Sequence, residues 1–261
     1  MFSNEPRYVY RHNQLADVIC QLRFPEILTI DTNPPVEFQE TIRNLFPKYA
    51  VNKEVSPPKV TGTPGNMMLQ KQNVTNNYQF TTADSKYRVN LTSKFISLSC
   101  NHYSSWEDFA QLLDGPLAAF IRIYKPALFE RIGLRYINII SREALELGDT
   151  PYNELFSDMY LGPLSSEQIH ASAVRKCSLD FEVSIPGGQI AKIHAGPGLV
   201  TRNGHQDPEP KFIFDQDLYI HKDVPVQYAA STLDALHSKA YPIFRGAITD
   251  VLHQAMGPEI I

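Results

Sequence analysis

The chain has 261 residues, 43% of them hydrophobic, with 24 Lys and Arg against 28 Asp and Glu for a formal net charge of −4. This length and apolar content suffice for one large or two small packed domains. The balance of charge excludes a protein whose whole surface attracts nucleic acid, though not a local basic groove.

The first strand is predicted over Leu15 to Phe24, where Ala16, Val18, Cys20, Leu22 and Phe24 alternate with Asp17, Ile19, Gln21 and Arg23. Asp31 to Pro35 supplies capping residues and prolines ahead of a helix from Val36 to Phe46, ended by Pro47. Residues 52 to 66 hold Pro57, Pro58, Gly62, Pro64 and Gly65, which suits an edge strand or a surface loop. Met67 to Gln72, Asn76 to Thr82, Lys86 to Thr92 and Phe95 to Asn101 read as a meander of short strands. Ser104 and Ser105 precede an acidic first turn, and Trp106, Phe109, Leu113, Leu117, Phe120 and Tyr124 continue at helical spacing, with a kink expected at Gly115-Pro116.

A long strand from Phe129 to Ile140 opens the second half. A helical segment within Arg142 to Phe156 follows, then strands at Ser172 to Ile185, Gln189 to His194 and Phe212 to His221, with a mobile Gly/Pro-rich loop from Gly196 to Pro210. The last helix carries an apolar stripe from Val226 through Leu233, His237, Phe244 and Ile248 to Ala255, bent at Pro242 and stopped near Gly257-Pro258. Setting Leu22-Arg23-Phe24 against Leu134-Arg135-Tyr136 aligns the two halves. Each runs strand, helix, antiparallel strands, long helix, with residues 1–126 and 127–261 as the repeats of one continuous domain. The expected class is α+β: a curved sheet with the long helices on one face, similar in element order to TATA-binding-protein-like and helix-grip folds.

Three stretches carry a resemblance: Ile132-Gly133-Leu134-Arg135-Tyr136-Ile137-Asn138, Tyr103 to Phe109, and Leu236-His237 with Phe244 and Ile248-Thr249-Asp250. The chain resembles a sporadically distributed, uncharacterised family of bacterial and archaeal proteins of this length that share the Gly-Leu-Arg-Tyr-Ile-Asn strand motif. The resemblance implies no catalytic residue, cofactor or substrate.

No apolar run approaches the roughly 20 residues of a membrane helix, and Met1 to Arg7 lacks the features of a secretory signal. The expectation is a cytoplasmic protein with no membrane partner. Cys20, Cys100 and Cys177 lie in strand-like surroundings without ligand spacing and read as buried free thiols. The Asn73-Val74-Thr75 sequon has no meaning without secretion. Eight histidines form no close metal-binding pair, and His237 and His253, sixteen residues apart on one predicted helix, point in nearly opposite directions. Asp215, Asp217 and His221 share a strand face and imitate acid/base chemistry, but a solvated strand explains them. Gly196-Pro197-Gly198 with Gly204 lacks the following helix of a phosphate loop, and no nucleophile signature is present. The 13 Tyr and 14 Phe are accounted for mainly by core packing and hairpin pairs rather than by stacking on bases. No cofactor or metal is expected, and the reading leans away from an enzyme.

The candidate contact residues are Arg23, Arg131 and Arg135, on the strand face opposite Leu22 and Leu134. They are expected to line an open sheet face and form a shallow site for a phosphate or carboxylate, with Arg135 accessible and weakly paired, and Gly133 clearing room for a partner. The structural alternative is an ion pair with a strand carboxylate such as Asp180 or Glu182. The functional expectation is a non-enzymatic protein that recognises another macromolecule through an open sheet face or long loops. Two alternatives stay open: a small-molecule or enzymatic pocket between the sheet and the long helices, and nucleic-acid binding. Self-association into a homo-oligomer also stays open.

Overall fold

A computed structural model describes residues 1–55, 60–63, 66–69, 74–166, 168–169, 173–202 and 204–260. The chain is mixed α+β, 30% helical and 37% strand, built on a large antiparallel sheet. The first half contains β1 (Tyr8–Tyr10), β2 (Leu15–Arg23), α1 (Leu28–Thr32), α2 (Val36–Ile42), β3 (Lys48–Val55), β4 (Val60–Thr63), β5 (Asn66–Leu69), β6 (Val74–Thr81), β7 (Tyr87–Leu91), β8 (Phe95–Cys100) and α3 (Trp106–Tyr124). The second begins with β9 (Leu128–Phe129), β10 (Arg131–Ile140), α4 (Tyr152–Leu155), β11 (Leu179–Ile185) and β12 (Gln189–Gly198). It continues with β13 (Thr201–Arg202), β14 (His205–Gln206), β15 (Lys211–Ile220), β16 (Val224–Pro225), α5 (Ala229–Ala247), α6 (Asp250–Ala255) and β17 (Pro258–Ile260).

Nine strands form one sheet in the order β11-β12-β15-β10-β2-β8-β7-β6-β3. β2 and β10 are antiparallel neighbours near its centre, in the register Arg131 to Arg23, Gly133 to Gln21 and Arg135 to Ile19. The sheet therefore runs unbroken across both halves of the chain.

Period-2 patterning decides which face is covered. Val18, Cys20 and Leu22 on β2, Ile96 and Leu98 on β8, and Ile132 and Leu134 on β10 are fully buried. α3 packs there: Phe120 lies 4.6 Å from Phe24, ring to ring. α5 does the same through Phe244, edge-on to Phe214 of β15 at 5.9 Å. α2 lays Phe38 on Phe80 of β6, and Phe156, just after α4, stacks on Phe212 of β15 at 3.8 Å. All of these helices lie on one face, and the opposite face carries the charged and amide side chains together with Ile19, Phe95, Ile137, Ile139, Ile190 and Ile213.

Trp106, Phe109, Phe120, Leu233, Phe244 and Ile248 are buried as their helical spacing predicts. The three cysteines are free and buried. Several boundaries differ. α3 continues through Gly115 and Pro116 to Tyr124. Pro242 lies inside α5, and the predicted final helix divides at Ile248, because a neighbouring segment takes over its backbone bonds. Ala247 O accepts from Ser157 N, Thr249 N donates to Leu155 O, and the Thr249 side chain then caps α6 by accepting from Leu252 N. His237 and His253 consequently sit on different helices. β12 extends to Gly198, and β13 pairs with β14 where a single loop was expected.

Of the two alternatives for the stretch beginning at residue 52, its first residues take the edge strand: β3 forms the sheet edge against β6. The short β1 and β17 pair with each other, tying the N-terminal segment to the C-terminal one. Pro57-Pro58, Pro64-Gly65, residues 70–72 of the third predicted segment, Asn73 of the sequon and the expected strand start at Ser172 lie outside the described residues. Among the described residues, no helix is long and apolar enough to cross a membrane.

Candidate functional site

The uncovered face inherits the odd-numbered residues of β2, β10 and β15. Each strand therefore brings its charges to one surface. On β10 these are Arg131, Gly133 and Arg135, followed by Ile137 and Ile139, and the adjoining β15 supplies Lys211, Ile213, Asp215, Asp217 and Tyr219. Arg131 donates from Nη2 to both carboxylate oxygens of Asp217, at 2.9 and 2.7 Å. Its guanidinium also stands 4.3 Å above the Tyr219 ring. Arg135 makes a two-point pair with Asp215, Nε donating to Oδ1 at 2.8 Å and Nη2 to Oδ2. That hydrogen bond pushes the guanidinium's affinity for its proton further up.

These contacts correct the expectation of a weakly paired Arg135. Its side chain is accessible, at 44%, but fully engaged by a carboxylate that is only 12% exposed. The partners are Asp215 and Asp217; Asp180 and Glu182 lie three strands away on β11 and pair there with His194 and Lys192 of β12. Gly133 also has a different use. A Cβ built on it would lie 2.3 Å from Nη1 of Arg131, so the missing side chain makes room for Arg131 to fold over the strand toward Asp217, and the space is already filled. Asp215 and Asp217 are thereby held by arginines, while His221 lies exposed beyond the end of β15.

A shallow groove of about 410 Å³ lies beside Arg135, Asp215, Asp217, Lys192, His194 and Asp180. Across this half of the face, the cations Arg131, Arg135 and Lys192 meet the carboxylates Asp180, Glu182, Asp215 and Asp217. No surplus of positive charge remains to attract an anion.

The half built from β2, β8, β7, β6 and β3 differs. Its register lines up Gln79, Asn90, Ser97 and Gln21 in one row ending at Gly133, and Lys48, Thr81, Arg88 and Ser99 in the next. Asn90 donates to Ser97 Oγ at 3.3 Å, and Lys48 to Ser85 Oγ. Arg23 is exposed and makes no side-chain hydrogen bond or ion pair among the described residues, although Arg131 is its cross-strand neighbour. Arg88 is likewise exposed, feeling only a longer-range attraction to Asp17. Asp17 is the acid of this half among the described side chains; burial raises its carboxyl, and its Oδ1 has no partner. The sequence reading found Arg23 but passed over Arg88 and the amide row. Strand alternation marks these residues as outward-facing, but only the register shows that they adjoin.

Truncating either arginine should be costly. Arg131 is 16% exposed and Asp217 24%, so Arg131→Ala should cost about 2–3 kcal/mol by leaving a partly buried carboxylate unpaired. Arg135→Ala should cost a similar amount: water reaches the guanidinium, but the Asp215 carboxylate left behind is only 12% exposed. Urea denaturation at neutral pH measures both; a loss below about 1 kcal/mol for either variant would contradict the pairing.

Among the described residues, no group of three or more His, Cys, Asp or Glu is placed to hold a metal ion. No protein-family model matches the chain, and no curated protein matches it.

Proposed function

We propose that this is a non-enzymatic recognition protein that holds another macromolecule against the uncovered face of its sheet, with Arg23 and Arg88 as its charged contacts. The observation that carries this reading is the asymmetry of that face: the second half satisfies its own charges, while the first presents amides, hydroxyls and two unengaged arginines. An unpaired guanidinium offers a rigid fork for a carboxylate or phosphate. The net charge of −4 favours an acidic protein segment over nucleic acid as the partner.

The fold is read as a duplicated unit of the TATA-binding-protein-like or helix-grip-like kind. Supporting this, β2 and β10 pair at the centre, and in each half the strand before the long helix, β8 or β15, returns beside the opening strand. Membership of the sporadic family with the Gly-Leu-Arg-Tyr-Ile-Asn motif belongs to the same proposal, as does a cytoplasmic location.

The test compares the wild type with Arg23→Glu/Arg88→Glu in affinity capture and cross-linking, with Lys192→Glu on the other half as control. The proposal expects a cross-linked protein partner that the double variant loses and the control retains. Equal retention by the folded double variant would overturn it. Capture of an oligonucleotide through the same two arginines would replace the protein partner with nucleic acid.

A further inference from the structure

We propose that a second site, the cavity between α5 and the centre of the covered sheet face, binds a small organic carboxylate. This inference is independent of the open-face reading, because the cavity lies on the opposite side of the sheet.

The strands themselves point to it. Inward positions on β10 and β15 are apolar except near the middle, where Tyr136, Asn138 and Gln216 occur among Ile132, Leu134, Phe214 and Leu218. Asn138 is 5% exposed and Gln216 2%. Amides are rarely this deep without full hydrogen bonding, because an unmet buried polar group costs about 1–3 kcal/mol. Here the bonding is incomplete. Asn138 donates to Phe214 O at 3.4 Å, Gln216 Oε1 has no partner, and the Tyr103 and Tyr241 hydroxyls have no well-formed hydrogen bond, only the nearby hydroxyls of Tyr136 and Tyr10. Asn138, Gln216, Tyr103 and Tyr241 all border one cavity of about 120 Å³, closed on the helix side by Ala240 and Phe244 of α5.

Charge selects the ligand class. Arg7 contributes to the lining, which contains no Asp or Glu. Arg7 is exposed and makes no side-chain hydrogen bond or ion pair among the described residues, yet its charge reaches Tyr103, Tyr136 and His237. The cavity therefore combines a cation at its edge, hydroxyl and amide donors along its wall, and an apolar remainder that includes the Phe244 ring. This arrangement suits a carboxylate with a short hydrocarbon body, toward which Gln216 turns its Nε2, because its Oε1 is an acceptor and would oppose a second acceptor. The volume is somewhat below the ~150 Å³ that admits benzene in an engineered cavity, so a ligand of about six non-hydrogen atoms fits.

The wall carries its own reporter. His237, whose Nδ1 is 2.8 Å from the Tyr136 hydroxyl, is stacked at 4.6 Å on Trp106, the sole tryptophan of the chain. Butyrate should change Trp106 emission saturably and give a saturation-transfer NMR signal. Butyramide should bind about tenfold more weakly and butylamine not at all, since about 1.4 kcal/mol separates each factor of ten. Arg7→Gln, at an exposed position, should reduce butyrate affinity about five- to tenfold and leave butyramide unchanged. Ala240→Leu, which fills the cavity from α5, should abolish both. Absence of saturable butyrate binding to the wild type, equal binding of butylamine, or undiminished binding by either folded variant would overturn the proposal.

Discussion

Phe244→Ala is expected to lower the unfolding free energy by about 3 kcal/mol, and Phe120→Ala by about 5 kcal/mol, the two ends of the range for truncating a buried phenylalanine. Both rings stand on long helices facing the sheet, but their surroundings differ. Phe120 has no exposed surface and is enclosed by Phe24 at 4.6 Å and Tyr124 at 5.5 Å, so its removal leaves a sealed apolar void. Phe244 is 7% exposed, lies 5.9 Å from Phe214 and 6.1 Å from Tyr10, and already borders the cavity beside Gln216. Water can enter the space that its removal opens, which recovers part of the lost interaction. Urea unfolding of the two variants tests the comparison. A Phe244→Ala loss below about 1 kcal/mol would mean that α5 is not anchored through this ring.

Side-chain periodicity made the layers legible, whereas the partners of the charged residues depended on strand order. Alternation along Leu15 to Phe24 and Phe129 to Ile140, and helical spacing from Trp106 to Tyr124, identified which residues face inward, and those residues are buried. The sequence could not show that β15 inserts between β10 and β12. That insertion brings Asp215 and Asp217 to the arginines and leaves Asp180 and Glu182 three strands away. The use of Gly133 was hidden for the same reason, since the Arg131 guanidinium crosses it only because Asp217 lies on the far side. The division at Ile248 was equally non-local: Leu155 and Ser157, about ninety residues earlier, take the backbone bonds that would have continued the helix. By contrast, Asn138 and Gln216 were visible as amides in otherwise apolar inward rows. Patterning alone could have singled them out.

Stability should fall as the pH is lowered from about 6.5 to about 4, with His237 alone contributing about 2–3 kcal/mol of the loss. Burial lowers the imidazole pKa from 6.5 to about 4, and the nearby Arg7 charge adds to this, against weaker opposing pulls from Glu107 and Asp234. With the ring neutral, Nδ1 shares a 2.8 Å hydrogen bond with the Tyr136 hydroxyl and Trp106 covers one face. In the unfolded chain the same imidazole takes up a proton near 6.5. Between the two values the unfolded state binds more protons, so acidification favours unfolding, and below about 4 this contribution is constant. His253, also lowered by burial with help from Arg245, acts in the same direction. Glu209 enters at lower pH: burial would raise its carboxyl, but Lys211, Ser141 and the Glu143 N–H together bring it to about 2, so its contribution is lost between its ordinary value of 4.5 and about 2. His237→Phe preserves the stack on Trp106 while removing the titrating group. Urea unfolding as a function of pH should therefore show a shallower slope for this variant between pH 6.5 and 4, and wild-type Trp106 emission should change with a midpoint near 4. A midpoint near 6.5, or identical slopes for the two proteins, would show that His237 is not held neutral by its surroundings.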